Sequence, residues 1–156
     1  MHARVRESLE RHALNHRLWE HQLAPTPIRS PADFSAYSGI PIERIAKTLF
    51  LSVTGGTTPF VLVTCPMTAR LDLPAIAGLL GATTVTMGSK QALAEQLGYP
   101  PNGVSPIGAG SIPVLMDEAV FAHPTIAVGA GEAGVEVEVE PLALATLISA
   151  RRCRCT

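Results

Sequence analysis

Lys47 and Thr48 stand together where a short helical turn meets the most hydrophobic pair of runs in the chain, and Lys90 is the one other lysine. An ammonium at the rim of an apolar pocket can hold a phosphate or polarise a carbonyl oxygen, because a low local dielectric strengthens its field. A solvated strand end is the competing reading, and Thr48 is equally an ordinary β-former. Gly129-Ala130-Gly131-Glu132-Ala133-Gly134 forms a loop whose backbone N–H groups can approach an anion or a carbonyl closely, although a plain turn accounts for it as well. Its glycines fit the G-x-G-x-x-G spacing, but an alternating strand follows where a dinucleotide site needs a helix, so the Rossmann reading is rejected. Glu136 is singled out because it follows this loop, while Asp117, Glu118, Glu138 and Glu140 read as capping or solvent-face acids.

A second uncharged stretch runs from Gln96 to Met116, with four Gly and three Pro between Gly98 and Gly110. Such a loop lines a pocket or a partner, or else packs as a tight crossover. His12 and His16, one helical turn apart, read as a solvated face, and no Ser-His-Asp or Cys-His set follows from spacing, since such partners meet only in space. Cys65, Cys153 and Cys155 supply neither a disulfide framework nor four zinc ligands, so free thiols in a reducing cytosol are expected, with no metal and no cofactor.

These residues need elements to hold them. Val5, Leu9 and Ala13 repeat at fourfold spacing and predict an amphipathic helix over 3–14. Arg17 to Leu23 predicts a short edge strand, and Ser30-Pro31-Ala32-Asp33 a capped helix ended by Gly39. Thr48–Val53 and Phe60–Thr64 around Gly55-Gly56 predict a hairpin. Asp72 and Ser89 are N-caps for helices closing at Gly81 and Gly98. Strands are predicted at 83–87, 112–116, 125–128 and 135–139, and a helix from Pro141 to Ala150. Hairpins mixed with helices in no regular βαβ order predict an α+β domain, a central mixed β-sheet flanked by helices. At 156 residues, 47% hydrophobic and 16% charged, the chain suits one compact domain, 1–156, with 151–156 as a disordered tail. A net charge of -1 supplies no global pull toward nucleic acid or anionic lipid. Charges punctuate the N-terminus, and Gly, Pro and Thr interrupt every long uncharged stretch, so neither a signal core nor a membrane-spanning helix is expected.

Lys47-Thr48-Leu49, Leu71-Asp72-Leu73 before Leu79-Leu80-Gly81-Ala82, Gly98-Tyr99 with Gly103-Val104-Ser105-Pro106-Ile107-Gly108, and Gly129-Ala130-Gly131 with Gly134-Val135-Glu136 occur in the order and spacing of one family. Over residues 17–150 the sequence resembles the YbaK/ProX-type aminoacyl-tRNA deacylases, relatives of the editing domain inserted in bacterial prolyl-tRNA synthetases. The resemblance implies a small α+β domain that hydrolyses the ester of mischarged tRNA in trans, most plausibly Cys, Ala or another small residue on tRNA(Pro). The expected partners are the aminoacylated tRNA 3′ end and a synthetase, with no membrane or DNA, in the cytoplasm. It implies that Lys47 is catalytic, that Thr48, Gly103, Ser105, Pro106, Gly108 and Glu136 contact substrate, and that the backbone of Gly129, Ala130 and Gly131 faces the substrate carbonyl. No protein nucleophile is implied; the terminal ribose hydroxyl helps to activate or orient water. Asn102-Gly103 stands where relatives often carry Gly-Gly, and Ala109-Gly110-Ser111 replaces basic residues, which lowers the phosphate-binding charge. That departure motivates an alternative, a non-catalytic aminoacyl- or nucleotide-binding module associated with a synthetase.

Overall fold

The computed structural model describes all 156 residues. Helix starts follow local chemistry. In α1 (Ala3–Arg11) His2 Nδ1 accepts the Arg4 N–H and Val5 and Leu9 are buried one turn apart. In α2 (Pro31–Ser38) Ser30 accepts the Asp33 N–H, Pro31 opens the first turn and Gly39 closes the helix at φ 75°. Asp72 caps α3 (Leu73–Leu79) and Ser89 caps α4 (Lys90–Leu97), whose end at Gly98 is again left-handed, at φ 74°. The last helix, α5, spans Pro141–Leu147. All five helices lie within or near the stretches that caps and periodicity predict.

Eight strands complete the α+β fold: β1 (His16–Glu20), β2 (Ala46–Thr54), β3 (Phe60–Pro66), β4 (Thr84–Met87), β5 (Val114–Asp117), β6 (Ile126–Gly129), β7 (Val135–Val139) and β8 (Arg151–Cys153). Five form a mixed sheet in the order β4-β2-β3-β5-β8, and three an antiparallel sheet in the order β1-β7-β6. A parallel bridge between Ile45 and Ala127 joins the two, so the N-terminal end of β2 runs beside β6 while its C-terminal half runs beside β4.

Alternation along β2 and β3 sorts the core onto two faces. Ala46, Phe50 and Leu62 face one way, onto Val5 and Leu9 of α1, Leu93 and Leu97 of α4 and Leu144 of α5. Leu51, Val61 and Val63 face the other way, onto Ile76 and Ala77 of α3. On that second side, over the three-stranded sheet, Trp19, Ile45 and Ala127 pack under Phe34 of α2 and Ile40.

The C-terminal segment corrects an expectation. Residues 151–156 are not a disordered tail: β8 pairs in parallel with β5, with Arg151, Arg152 and Cys153 opposite Leu115, Met116 and Asp117. Buried Asp117 is the anchor, its Oδ2 accepting the Cys155 N–H at 2.8 Å and the Thr156 hydroxyl at 3.2 Å. Arg152-Cys153-Arg154-Cys155 is a period-two strand pattern in which cysteine is the inward residue, and both thiols are buried. The arginines hide the pattern, yet Arg152 lies over the Phe121 ring at 4.5 Å and Arg151 donates to the Leu79 carbonyl. Deleting 151–156 exposes the β5 edge and takes both partners from Asp117 Oδ2, while Oδ1 keeps the Ala119 N–H, so a stability loss of about 2 kcal/mol or more is expected, read as a lowered denaturant midpoint.

Candidate functional site

The site is built at the fork in β2. Ile45 is bridged to β6, Gly88 N–H closes onto the Phe50 carbonyl beside β4, and Lys47 to Leu49 between them have no strand neighbour on that edge. Two residues beyond the Ile45–Ala127 bridge, along both parallel strands, Lys47 comes level with Gly129. Gly129 is opposite Glu136 on β7, Glu136 is opposite Trp19 on β1, and Lys47 is opposite Cys65 on β3. One row across the joined sheets therefore reads Trp19, Glu136, Gly129, Lys47, Cys65, all on the face that α2 covers.

Lys47 is half-buried and its Nζ donates to the Ala69 carbonyl at 2.5 Å. That bond ties the ammonium to the turn after β3. Burial pushes the Cys65 thiol up to about 11 although the Lys47 charge beside it acts the other way, so Cys65 is an uncharged neighbour. None of the five main surface clefts has Lys47 in its lining.

The two glycine segments meet backbone to backbone. A Cβ on Gly129 would lie 2.4 Å from the Val104 carbonyl oxygen, and one on Gly103 would lie 2.4 Å from the Glu132 carbonyl carbon. Only glycine permits both approaches. Gly103→Ala must push the 103–104 segment off the 132–133 peptide, and a stability loss of about 1–3 kcal/mol is expected, measurable as a fall in Tm.

Glu136 and His21 form the polar end of the row. Glu136 Oε1 and His21 Nε2 are 3.8 Å apart, and the His21 ring lies against Phe34 with centroids 5.2 Å apart. Burial raises the Glu136 carboxyl to about 7 and holds His21 below its usual range. At neutral pH the imidazole is thus uncharged, so the contact is not an ion pair. Glu138, on the same face, is fully engaged by Trp19, Arg44 and the Thr125 hydroxyl.

The residues marked in the sequence divide into two groups. Lys47, Gly129 and Glu136 share the row, and Gly103 packs against it through the backbone. Thr48 projects to the opposite face, where its hydroxyl is 2.9 Å from that of Thr64 in the core. Ser105 is fully buried and its Oγ accepts the Ile107 N–H, Pro106 is buried, and Tyr99 donates its hydroxyl to the Ile107 carbonyl at 2.6 Å. Gly108, at φ 77°, fits between that hydroxyl and Arg4. These residues brace the loop from within. Ala130 spends its N–H on the Val135 carbonyl and its own carbonyl on the His2 N–H, and Gly131 lies against His2 and Tyr99. Trp19 and His21 carry no mark of function in the sequence, where they sit in the run read as an edge strand. Trp19 on β1 and His21 in the turn just after it are two residues apart, and only the pairing of β1 with β7, continued by the His21 N–H onto the Gly134 carbonyl, more than a hundred residues away, gives that spacing meaning. No group of three His, Cys, Asp or Glu side chains is placed to hold a metal ion, and no helix is long and apolar enough to cross a membrane.

Comparison with known proteins adds to this geometry. The family model described as "Aminoacyl-tRNA editing domain" matches residues 25–147. A protein of Enterococcus faecalis, named provisionally as a Cys-tRNA(Pro)/Cys-tRNA(Cys) deacylase, is 36% identical over 110 residues, 70% of this chain and 66% of the relative. The proline–tRNA ligase of Thermosipho melanesiensis is 25% identical over 111 residues, 70% of this chain but 19% of the ligase. The chain thus spans about a fifth of one curated relative and about two thirds of the other. A crystal structure described provisionally as a trans-editing enzyme for prolyl tRNA synthetase superposes with a TM-score of 0.84 at 20% identity, covering 100% of this chain and 98% of the other, a likeness of fold.

Proposed function

This chain belongs to the aminoacyl-tRNA editing domain family, and from that premise we propose that it is a trans-editing deacylase, hydrolysing the ester between a wrongly attached small amino acid and the 3′ end of its tRNA. The observation that carries the reading is the placement of Lys47 and Glu136 on one face, on either side of β6. An ester seated across β6 directs its carbonyl oxygen to the Lys47 ammonium, released for this from the Ala69 carbonyl. Water adds to the carbonyl carbon, negative charge develops on the oxygen that Lys47 faces, and collapse expels the ribose oxygen, which takes a proton as the free amino acid leaves. No activated side-chain nucleophile is at hand: Cys65, in the row, is buried and held as the thiol, and Ser105 and Thr48 are bonded inside the core. The water is activated without a covalent intermediate, with the tRNA's vicinal ribose hydroxyl as its orienting group.

Cysteine or alanine on tRNA(Pro) is the substrate we assign, a cytoplasmic one. An apolar pocket separates neighbours that differ by one methylene by only about 1–3 kcal/mol, which is why a second, hydrolytic sieve is useful. The test is a panel of Ala-, Cys-, Ser- and Pro-charged tRNA(Pro), with Cys-tRNA(Cys) beside them. Faster release of Ala or Cys than of Pro is expected, and release from none would overturn the enzyme. The second reading, a synthetase-associated binding module without turnover, is favoured by the Lys47–Ala69 contact, which leaves the ammonium already partnered. Under that reading charged tRNA or the synthetase binds and no amino acid is released.

A further inference from the structure

His21 Nε2 is the one buried side-chain nitrogen or oxygen without a hydrogen-bond partner. Its nearest polar neighbour, Glu136 Oε1, is 3.8 Å away, too far to bond and close enough for a third group to bond both. An unpartnered polar atom beside a desolvated carboxyl offers a place where one donor can bond both. With Nδ1 carrying the proton, the imidazole presents a lone pair at Nε2 and the carboxylate presents two more acceptors. Two converging acceptors require a donor with at least two hydrogens.

The surroundings favour a positive one. A cleft of about 300 Å3 opens beside His21 and is lined by Glu20, Gln22, Glu132 and the 133–135 backbone, with no Lys or Arg in it. Glu132 is 2.5 Å from the Met1 ammonium, which leaves Glu20, bonded to Gln22, as the unneutralised charge. On the inner side the buried Phe34 ring packs against the His21 ring and holds its orientation.

We propose that the space between His21 Nε2 and Glu136 receives a primary ammonium, which on the deacylase reading, upon which this rests, is the α-amine of the esterified amino acid. The ester is then polarised across β6, amine toward β7 and carbonyl toward Lys47. His21 acts as a positioning residue, and N-blocked esters are excluded.

The experiment compares Ala-tRNA(Pro) with N-acetyl-Ala-tRNA(Pro) in the wild type, Glu136→Gln and His21→Phe, the last keeping the ring against Phe34 while removing the nitrogen. The acetylated substrate is expected to be released about tenfold more slowly or worse by the wild type, the worth of a charge-assisted hydrogen bond, and both variants should bring the ratio toward one. Equal release of both substrates by the wild type overturns the inference and leaves the deacylase standing. Release of neither overturns the deacylase, and the inference is then decided by binding. For this, 3′-deoxy-3′-(alanylamino)adenosine and its N-acetyl form are titrated against the 15N-histidine-labelled protein. A shift of the His21 ring nitrogens with the free amine alone supports the ammonium seat, and equal or absent shifts refute it.

Discussion

Lys47→Ala is expected to lower release of the wrong amino acid by about a hundredfold or more, the order found when one preorganised donor to a developing oxyanion is removed, with little change in Tm. The strand around it is held independently: Ala46, Phe50 and Leu51 are buried, and β2 pairs with β3 from Ala46 to Ser52. The substitution removes one bond, from Nζ to the Ala69 carbonyl, in a half-buried turn that water can reach. A fall in kcat at unchanged KM assigns the ammonium to the transition state, whereas a rise in KM alone assigns it to anchoring the tRNA 3′ end. Lys47→Arg should not rescue, because a planar fork held at the Ala69 turn cannot bring a single charge to the same point. Full activity in Lys47→Ala would remove the lysine from the mechanism.

Local chemistry made much of the scaffold legible. The caps at Ser30, Asp72 and Ser89 and the left-handed ends at Gly39 and Gly98 are written in a few adjacent residues, and the β2–β3 hairpin is a run of β-formers around Gly55-Gly56. The family motifs marked Lys47, Thr48, Gly129 and Glu136 alike, and the strand separates the first two: neighbours on β2 turn to opposite faces, so Thr48 does not share the face of Lys47, Gly129 and Glu136. Ser105 and Gly108, in the same motif run, shape the loop around Tyr99 from within, which only the folded chain displays. The alternating Arg and Cys residues of β8 read as a charged tail because the partner that makes them a strand is Asp117, far away in the chain. His21 stayed hidden for the same reason: its meaning lies in Glu136, across a register that no local pattern records.

Glu136→Gln is expected to give a protein that is more stable than the wild type at pH 8 and poorer at its reaction. Burial raises the native carboxyl from 4.5 to about 7. Between those values the native chain keeps a proton that the unfolded chain has released, so stability falls as pH rises through this window and stays low above it. The shift corresponds to about 3 kcal/mol, and with the side chain 22% exposed most of that should be felt. Glutamine has the same shape and no charge to desolvate. The gain should be absent at pH 4.5 and full at pH 8, where a domain of this size moves by roughly 2–4 °C in Tm per kcal/mol. His21, lowered from 6.5 by burial, acts in the opposite sense in acid and lies 3.8 Å from Glu136, so the pH dependence of variant minus wild type is to be measured also in a His21→Phe background, where only the carboxyl titrates. A flat difference between pH 4.5 and 8 would show that Glu136 is solvated in the native state. If the carboxylate is kept at this cost for an ammonium, 3′-deoxy-3′-(alanylamino)adenosine should raise the Tm of the wild type at pH 8 and leave that of Glu136→Gln nearly unmoved, since the ligand supplies the charge that the glutamine no longer needs.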